Sequence, residues 1–138
     1  MKPTYLSLIL AAALLGPGTA RGASTYFTTE QVLREFFPKS ERVGYRRVVL
    51  DPAQLSVLTH RLGYRPAKKE YVLFTAQTKD QVDGYAVIDD EKGQHEHITF
   101  AVKLSPMAVV ERQEVLVYRE SYGSEITDGR FRQQFVGK

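Results

Sequence analysis

The sequence predicts an α+β fold, in which an antiparallel sheet of about four strands packs with two N-terminal helices and a short C-terminal helix. Two observations predict it. Between residues 28 and 62, apolar residues recur at helical spacing behind capping residues. From Glu70 onward, short β-rich runs follow one another through tight turns, which is typical of antiparallel strands. Helices followed by a sheet indicate an α+β domain.

The first helix is predicted over about 28–37 because Thr28 and Gln31 fit a capping box and Pro38 ends the pattern. A β-rich run, 43–50, comes next. Asp51 and Pro52 then begin a second helix, 52–62, and Gly63 ends it.

The sheet is predicted from four runs of β-branched and aromatic residues. These runs are 71–76, 82–88, 97–102 and 109–119. A charged turn is expected at 89–93. Thr127 is expected to cap the last short helix, and Phe131 and Phe135 lie four residues apart, so they are expected to pin that helix to the sheet.

The first 23 residues have the pattern of an export signal. Lys2 is followed by an uncharged run, Leu6–Leu15, and small residues lead to Ala23. The run of about ten residues is shorter than the ~20 that span a bilayer. We therefore expect a signal peptide over 1–23 and a domain over 24–138 in the periplasm or on the extracytoplasmic face of the inner membrane. An N-terminal membrane anchor is the alternative.

The composition narrows the chemistry. The 138 residues carry a formal charge of +3, and residues 24–138 have 17 basic against 16 acidic residues, or +1. A nearly neutral domain argues against nucleic-acid binding. The absence of Cys excludes disulfides, Cys-ligated metals and a thiol nucleophile. We find no P-loop, dinucleotide or nucleophile motif, and predict no catalytic residue.

Two histidines two residues apart, His95 and His97, could bind a metal together with Glu96 or Glu91. A metal site needs three or four ligands, so this pattern is weak evidence. The preferred interpretation is a solvated hairpin.

The segment that joins the longest strand to the last helix is the candidate site, and it comprises Glu120, Ser121, Tyr122, Gly123, Ser124, Glu125 and Ile126. Backbone N–H groups at such a turn can bind an anion or a ring carbonyl. Gly123 would allow close approach, and Tyr122 offers a flat face for stacking. On the residues alone, a polar connection with a left-handed glycine is the favoured interpretation.

Three segments together have a recognisable pattern: the helix 31–38 ending in Phe-Pro, the strands 82–87 and 97–102, and the strand and helix of 110–138. They resemble the FMN-binding domain of exported bacterial flavoproteins. Members of this family include a flavin-carrying component of the sodium-pumping NADH:quinone reductase and its counterpart in the related Rnf electron-transport complex. The resemblance covers nearly all of 24–138.

The sequence departs from that family at two places. Ser121 and Tyr122 replace the family's Thr and Pro, and Glu125 stands where the family has its second glycine, two residues after Gly123. The family also carries a Ser/Thr-Gly-Ala-Thr/Ser motif further on, where a flavin transferase attaches FMN through a phosphodiester. The sequence ends before such a motif, so we expect the flavin-attachment segment to be missing.

The resemblance implies an exported FMN-binding protein that carries electrons between a membrane redox system and an extracytoplasmic acceptor. Its partners would be membrane electron-transport proteins, and a flavin transferase for a longer form. The segment 120–126 would face the flavin. The alternative is a cofactor-free binding or assembly module that keeps the fold.

Overall fold

The computed structural model describes residues 23–121 and 123–138, so the predicted signal peptide lies, except for Ala23, outside the described residues. The elements in chain order are β1 Ser24–Thr25, α1 Thr29–Phe36, β2 Arg42–Val49, α2 Pro52–Leu62, β3 Glu70–Thr78, β4 Gln81–Lys92, β5 His97–Leu104, β6 Val110–Tyr118, a 3₁₀ turn Ser124–Thr127 and α3 Gly129–Gln133. This is an α+β architecture, as predicted.

Helix α1 begins with the predicted capping box. The Gln31 backbone N–H donates to Thr28 Oγ1 at 3.1 Å, and the Thr28 N–H donates to Gln31 Oε1 at 2.8 Å. Each side chain thus satisfies a backbone donor that the first turn leaves unpaired. One face of the helix, formed by Val32, Leu33 and Phe36, is buried.

The core lies between α1 and one face of the sheet. Three neighbouring strands place Ala76, Ala86 and Ala101 there, and all three are fully buried. Because alanine is small, the aromatic side chains of α1 and the residue after it, Phe36 and Phe37, can approach the strands closely. The core therefore consists of large residues on the helix over small residues on the sheet.

The sheet has six antiparallel strands in the order β1-β6-β5-β4-β3-β2, rather than about four. The run predicted to be β-rich is β2, and it pairs with β3 although α2 lies between them in sequence. A pairing across a helix leaves no local pattern, and β1 is only two residues long. The two N-terminal helices are consequently separated by a strand of the sheet.

Two local predictions are wrong. The expected turn at 89–93 is mostly strand, because β4 continues to Lys92 and pairs with His97. Its charged side chains are tolerated since the strand end is exposed. The last helix is capped by Asp128, whose Oδ1 accepts from the Arg130 N–H at 2.8 Å, and the Thr127 hydroxyl donates to the carbonyl of Ser124 instead.

Helix α2 has the predicted ends. The Asp51 carboxylate accepts from the Gln54 N–H at 2.8 Å, and Gly63 has φ +77° in the left-handed region that favours glycine. No residue of α2 is buried. Among residues 23–121 and 123–138, no helix is long and apolar enough to cross a bilayer.

The C-terminal segment covers the edge of β6. The Val110 N–H donates to the Lys138 carbonyl at 2.9 Å, and the Gly137 N–H donates to the Val110 carbonyl at 2.8 Å. At the other end of this edge, β1 pairs with Val117 and Tyr118, and the N–H groups of Tyr26 and Phe27 donate to the Leu116 carbonyl, so both ends of the edge are bonded within the chain. The C-terminal segment also approaches the sheet face opposite α1.

Gly84 should be the least replaceable glycine of the core. A Cβ at this position would lie 2.7 Å from the Leu104 carbonyl oxygen and 3.1 Å from Phe37 Cε1. We expect Gly84→Ala to lower the free energy of unfolding by about 1–3 kcal/mol, measured by urea denaturation, because a backbone atom cannot move aside. Gly129→Ala, where nothing lies within 4 Å, is the control. Equal stability of the two variants would contradict this packing.

Candidate functional site

The first residue of the predicted site, Glu120, has a structural role. Its Oε1 accepts hydrogen bonds from the backbone N–H groups of His95 at 2.6 Å and Glu96 at 3.1 Å. These bonds stabilise the charged form and hold the pKa of Glu120 below its usual range. Glu120 thus joins the end of β6 to the turn between β4 and β5.

Gly123 is required by the backbone. It has φ +84° and begins the 3₁₀ turn. A Cβ here would lie 3.1 Å from the hydroxyl of Tyr118, which is buried, and burial raises the pKa of that phenol. Tyr122 lies outside the described residues, and Ser121, Ser124 and Glu125 are exposed.

A groove of about 310 Å³ opens beside this segment, between the C-terminal residues and the sheet face opposite α1. Register explains its floor: Glu91 faces Ile98 and Phe100 faces Val115 across neighbouring strands, so their side chains share one face of the sheet. We call this the C-terminal groove; it is lined by Glu91, Ile98, Phe100, Gln113, Glu114, Val115, Ile126, Phe131, Arg132 and Phe135.

Two aromatic rings form the outer wall of the C-terminal groove. Phe131 and Phe135 have ring centroids 5.9 Å apart with an interplanar angle of 66°. They remain 43% and 37% exposed. The sequence predicted that they pin the last helix to the sheet; both rings line a groove over the sheet face, but they do not fill it, and they remain accessible to a ligand.

A buried charged cluster forms the polar end of the groove. The Glu114 carboxylate is buried, accepts from Arg112 Nε at 2.8 Å and pairs with Arg132 Nη1 at 2.5 Å. Arg132 also donates to the backbone carbonyls of Gln113 and, at 3.2 Å, Thr127. Its Nε is buried and has no hydrogen-bond partner among the described residues. A buried donor without a partner is costly to the folded state.

The structure brings only part of the predicted site to this groove. Ile126 lines the groove, whereas none of the other described residues of the predicted site does. The sequence predicted a packing role alone for Phe131 and Phe135, and it gave no indication of Arg132 or Phe100. The spacing of Phe131 and Phe135 was visible in the sequence, but their exposure depends on how far the C-terminal segment stands from the sheet.

A second depression, of about 430 Å³, is polar, and one of the two histidines, His97, lines it. Its lining residues are Lys68, Asp90, Glu96, His97 and Arg119. Arg119 Nη1 donates to the His97 carbonyl and the Thr99 hydroxyl, each at 3.0 Å. In the described part of the chain, no three His, Asp or Glu side chains are grouped to hold a metal ion. Lys68 pairs with Asp89, Asp90 accepts from the Thr99 hydroxyl, and Arg119 is bonded to β5, so internal bonds account for three of the five lining side chains.

Removing Arg132 should loosen the wall of the C-terminal groove. We expect Arg132→Met to lower the free energy of unfolding by about 3 kcal/mol in urea denaturation, because Glu114 would keep one cation where it now has two. The control is Arg130→Met, since the Arg130 side chain is 94% exposed. A loss no larger than that of the control would contradict a structural role for the pair.

The contribution of Glu120 to stability should depend on pH. The pKa of Glu120 is lowered in the folded state, so this contribution is fully present above the ordinary Glu pKa of about 4.3 and is lost as the pH falls through the folded pKa. We expect Glu120→Gln to reduce the melting temperature at pH 7, and the difference from wild type to shrink below pH ~4. Glu125→Gln is the control. If the difference in melting temperature between wild type and Glu120→Gln stayed constant with pH, the assigned role of the Glu120 carboxylate would be contradicted.

The chain matches no protein-family model, no curated protein and no solved structure. The resemblance to FMN-binding domains therefore depends on the residues of the first helix, the paired strands and the C-terminal segment.

Proposed function

We propose that this protein is an exported FMN-binding protein that carries electrons between a membrane redox system and an extracytoplasmic acceptor. The observation that carries the proposal is the C-terminal groove, in which two exposed aromatic rings lie over an apolar sheet surface. The groove is built from the stretch of chain that most resembles the family, Val110 to Phe135, together with two neighbouring strands.

The lining residues suit a flat heteroaromatic ring. Ile98, Phe100 and Val115 supply an apolar floor, and Phe131 and Phe135 supply faces on which a ring can stack. A volume of about 310 Å³ lies at the lower end of what small-molecule sites occupy, so it suits the isoalloxazine rather than the whole of FMN. The ribityl phosphate would then extend into solvent.

Two polar groups could orient that ring. The Gln113 side chain can donate to a carbonyl and accept from an N–H, and the unpartnered Nε of Arg132, which is buried in the wall, would reach a carbonyl after the Arg132 side chain shifts toward the ring. FMN, when bound, accepts and donates one or two electrons. The protein residues would exclude water from one face of the ring and adjust its potential through these donors.

Export and the redox partners follow from the same proposal. The pattern of residues 1–23 supports export, and an extracytoplasmic flavin would receive electrons from membrane electron-transport proteins. A longer form that contains an attachment motif would also be a substrate of a flavin transferase.

Titration of the purified full chain with FMN, followed by flavin fluorescence, tests the proposal. We expect saturable binding. The double variant Phe131→Ala and Phe135→Ala should bind at least about tenfold more weakly, because stacking and apolar burial of the ring are lost.

The control for this titration is Tyr64→Ala, which removes an aromatic side chain that is exposed and lies outside the C-terminal groove. Circular dichroism should show that all variants keep their secondary structure. If the wild type binds no FMN, the cofactor-free module is favoured; if both variants lose affinity equally, the groove is not the site.

The electron-carrier role needs a second measurement on the FMN-loaded chain. Reduction with dithionite and reoxidation with ferricyanide should remove and restore the visible absorbance of the bound flavin without releasing it. Release of FMN on reduction would contradict a carrier that works through repeated cycles.

A further inference from the structure

Helix α2 and the loop after it stand apart from the core. Five of the 11 residues of α2 are Ala, Val or Leu, and yet none of its residues is buried. Val57 and Leu62 are 55% and 45% exposed, and Tyr64, just beyond the helix, is 62% exposed. By contrast, three of the eight residues of α1 are buried. An apolar helix that packs this little against its own domain is suited to contact something else.

We call residues 51–69 the α2 lobe. The two ends of the lobe lie close together, because the N–H of Leu50, the residue just before it, donates to the carbonyl of Lys69, its last residue, at 2.7 Å. Along the helix, Ala53, Val57 and Arg61 follow one another at a spacing of four, so their side chains form one row. A shallow apolar groove of about 430 Å³ follows this row, and no acidic residue lines it.

The charge of the chain is concentrated in the α2 lobe. The lobe has four basic residues and one acidic residue, whereas the other 119 residues have 15 of each, so the +3 of the chain equals the charge of the lobe. The single acid, Asp51, is engaged as the helix cap. In the described ranges, Arg61, Arg65 and Lys69 form no salt bridge, and all three are exposed.

We propose that the α2 lobe binds the surface of an anionic lipid bilayer. Val57 and Tyr64 would enter the interfacial region, where aromatic side chains are favoured. Arg61, Arg65 and Lys69 would lie against the lipid phosphates, which attract unpaired cations. The excess of unpaired positive charge beside exposed apolar residues selects this occupant over a second copy of the chain, whose own lobe would repel it. The proposal is independent of flavin binding.

Vesicle co-sedimentation of the full chain tests the proposal. The vesicles are phosphatidylcholine alone or an equal mixture with phosphatidylglycerol, and the neutral vesicles measure binding through any other part of the chain. We expect stronger binding to the anionic vesicles in about 0.1 M salt, and loss of the difference in about 1 M salt, where charges are screened beyond about 3 Å. The double variant Arg61→Glu and Arg65→Glu should bind anionic vesicles at least about twentyfold more weakly.

The matched control reverses two exposed cations outside the lobe, Lys39→Glu and Lys92→Glu, and so changes the net charge by the same amount. This control variant should keep most of the preference for anionic over neutral vesicles. A second pair separates apolar contact from charge: Val57→Ser with Tyr64→Ser should weaken binding, and Met107→Ser, at another highly exposed apolar side chain, should not.

Three outcomes would overturn the proposal. The first is equal binding of the wild type to neutral and anionic vesicles. The second is an equal loss in the lobe variant and the charge-matched control. The third is a change of oligomeric state in the lobe variant, measured by light scattering, with vesicle binding unchanged, since a second copy would then be the occupant. Circular dichroism of each variant confirms that a loss of binding is not a loss of fold.

Discussion

The buried carboxylate of Glu114 is the interaction on which both faces of the sheet depend. It accepts from Arg112, which pairs with Glu35 of α1 at 3.5 Å and lies over the ring of Phe36, and it pairs with Arg132 of α3. One acid on β6 therefore links the helix that forms the core to the segment that forms the groove. Burying a carboxylate is costly, and two cations offset that cost only while both stay in place.

The contrast between the two sides of the sheet explains how one domain can have a rigid core and an open groove. On the side of α1, alanines let a helix pack directly on the strands. On the other side, the covering elements are a 3₁₀ turn and a five-residue helix, which bury Val115 but leave Phe100 only half-buried. Such short elements supply little apolar surface, so part of the sheet face stays accessible.

Local signals in the sequence predicted the ends of the two N-terminal helices, but not the end of β4 or the cap of the last helix. Helix caps can be recognised from residue type alone, as at Thr28, Asp51 and the left-handed Gly63. Both N-terminal helices accordingly have the predicted ends. Pairing between distant segments, such as β2 with β3, leaves no periodic signal and was missed. The predicted site, 120–126, stays a prediction: Ile126 lines the C-terminal groove, whereas Glu120 bonds to a neighbouring turn. Which side chains surround the groove depends on tertiary packing.

The order of the walls along the chain has a consequence for assembly. The floor of the C-terminal groove comes from β4, β5 and β6, while Phe131, Arg132 and Phe135 follow all the strands in sequence. The groove is therefore complete only when the C-terminal residues have docked on the strands, and the Glu114–Arg132 pair is a buried charged contact that holds them there. A ligand that requires both walls would bind only the fully assembled domain.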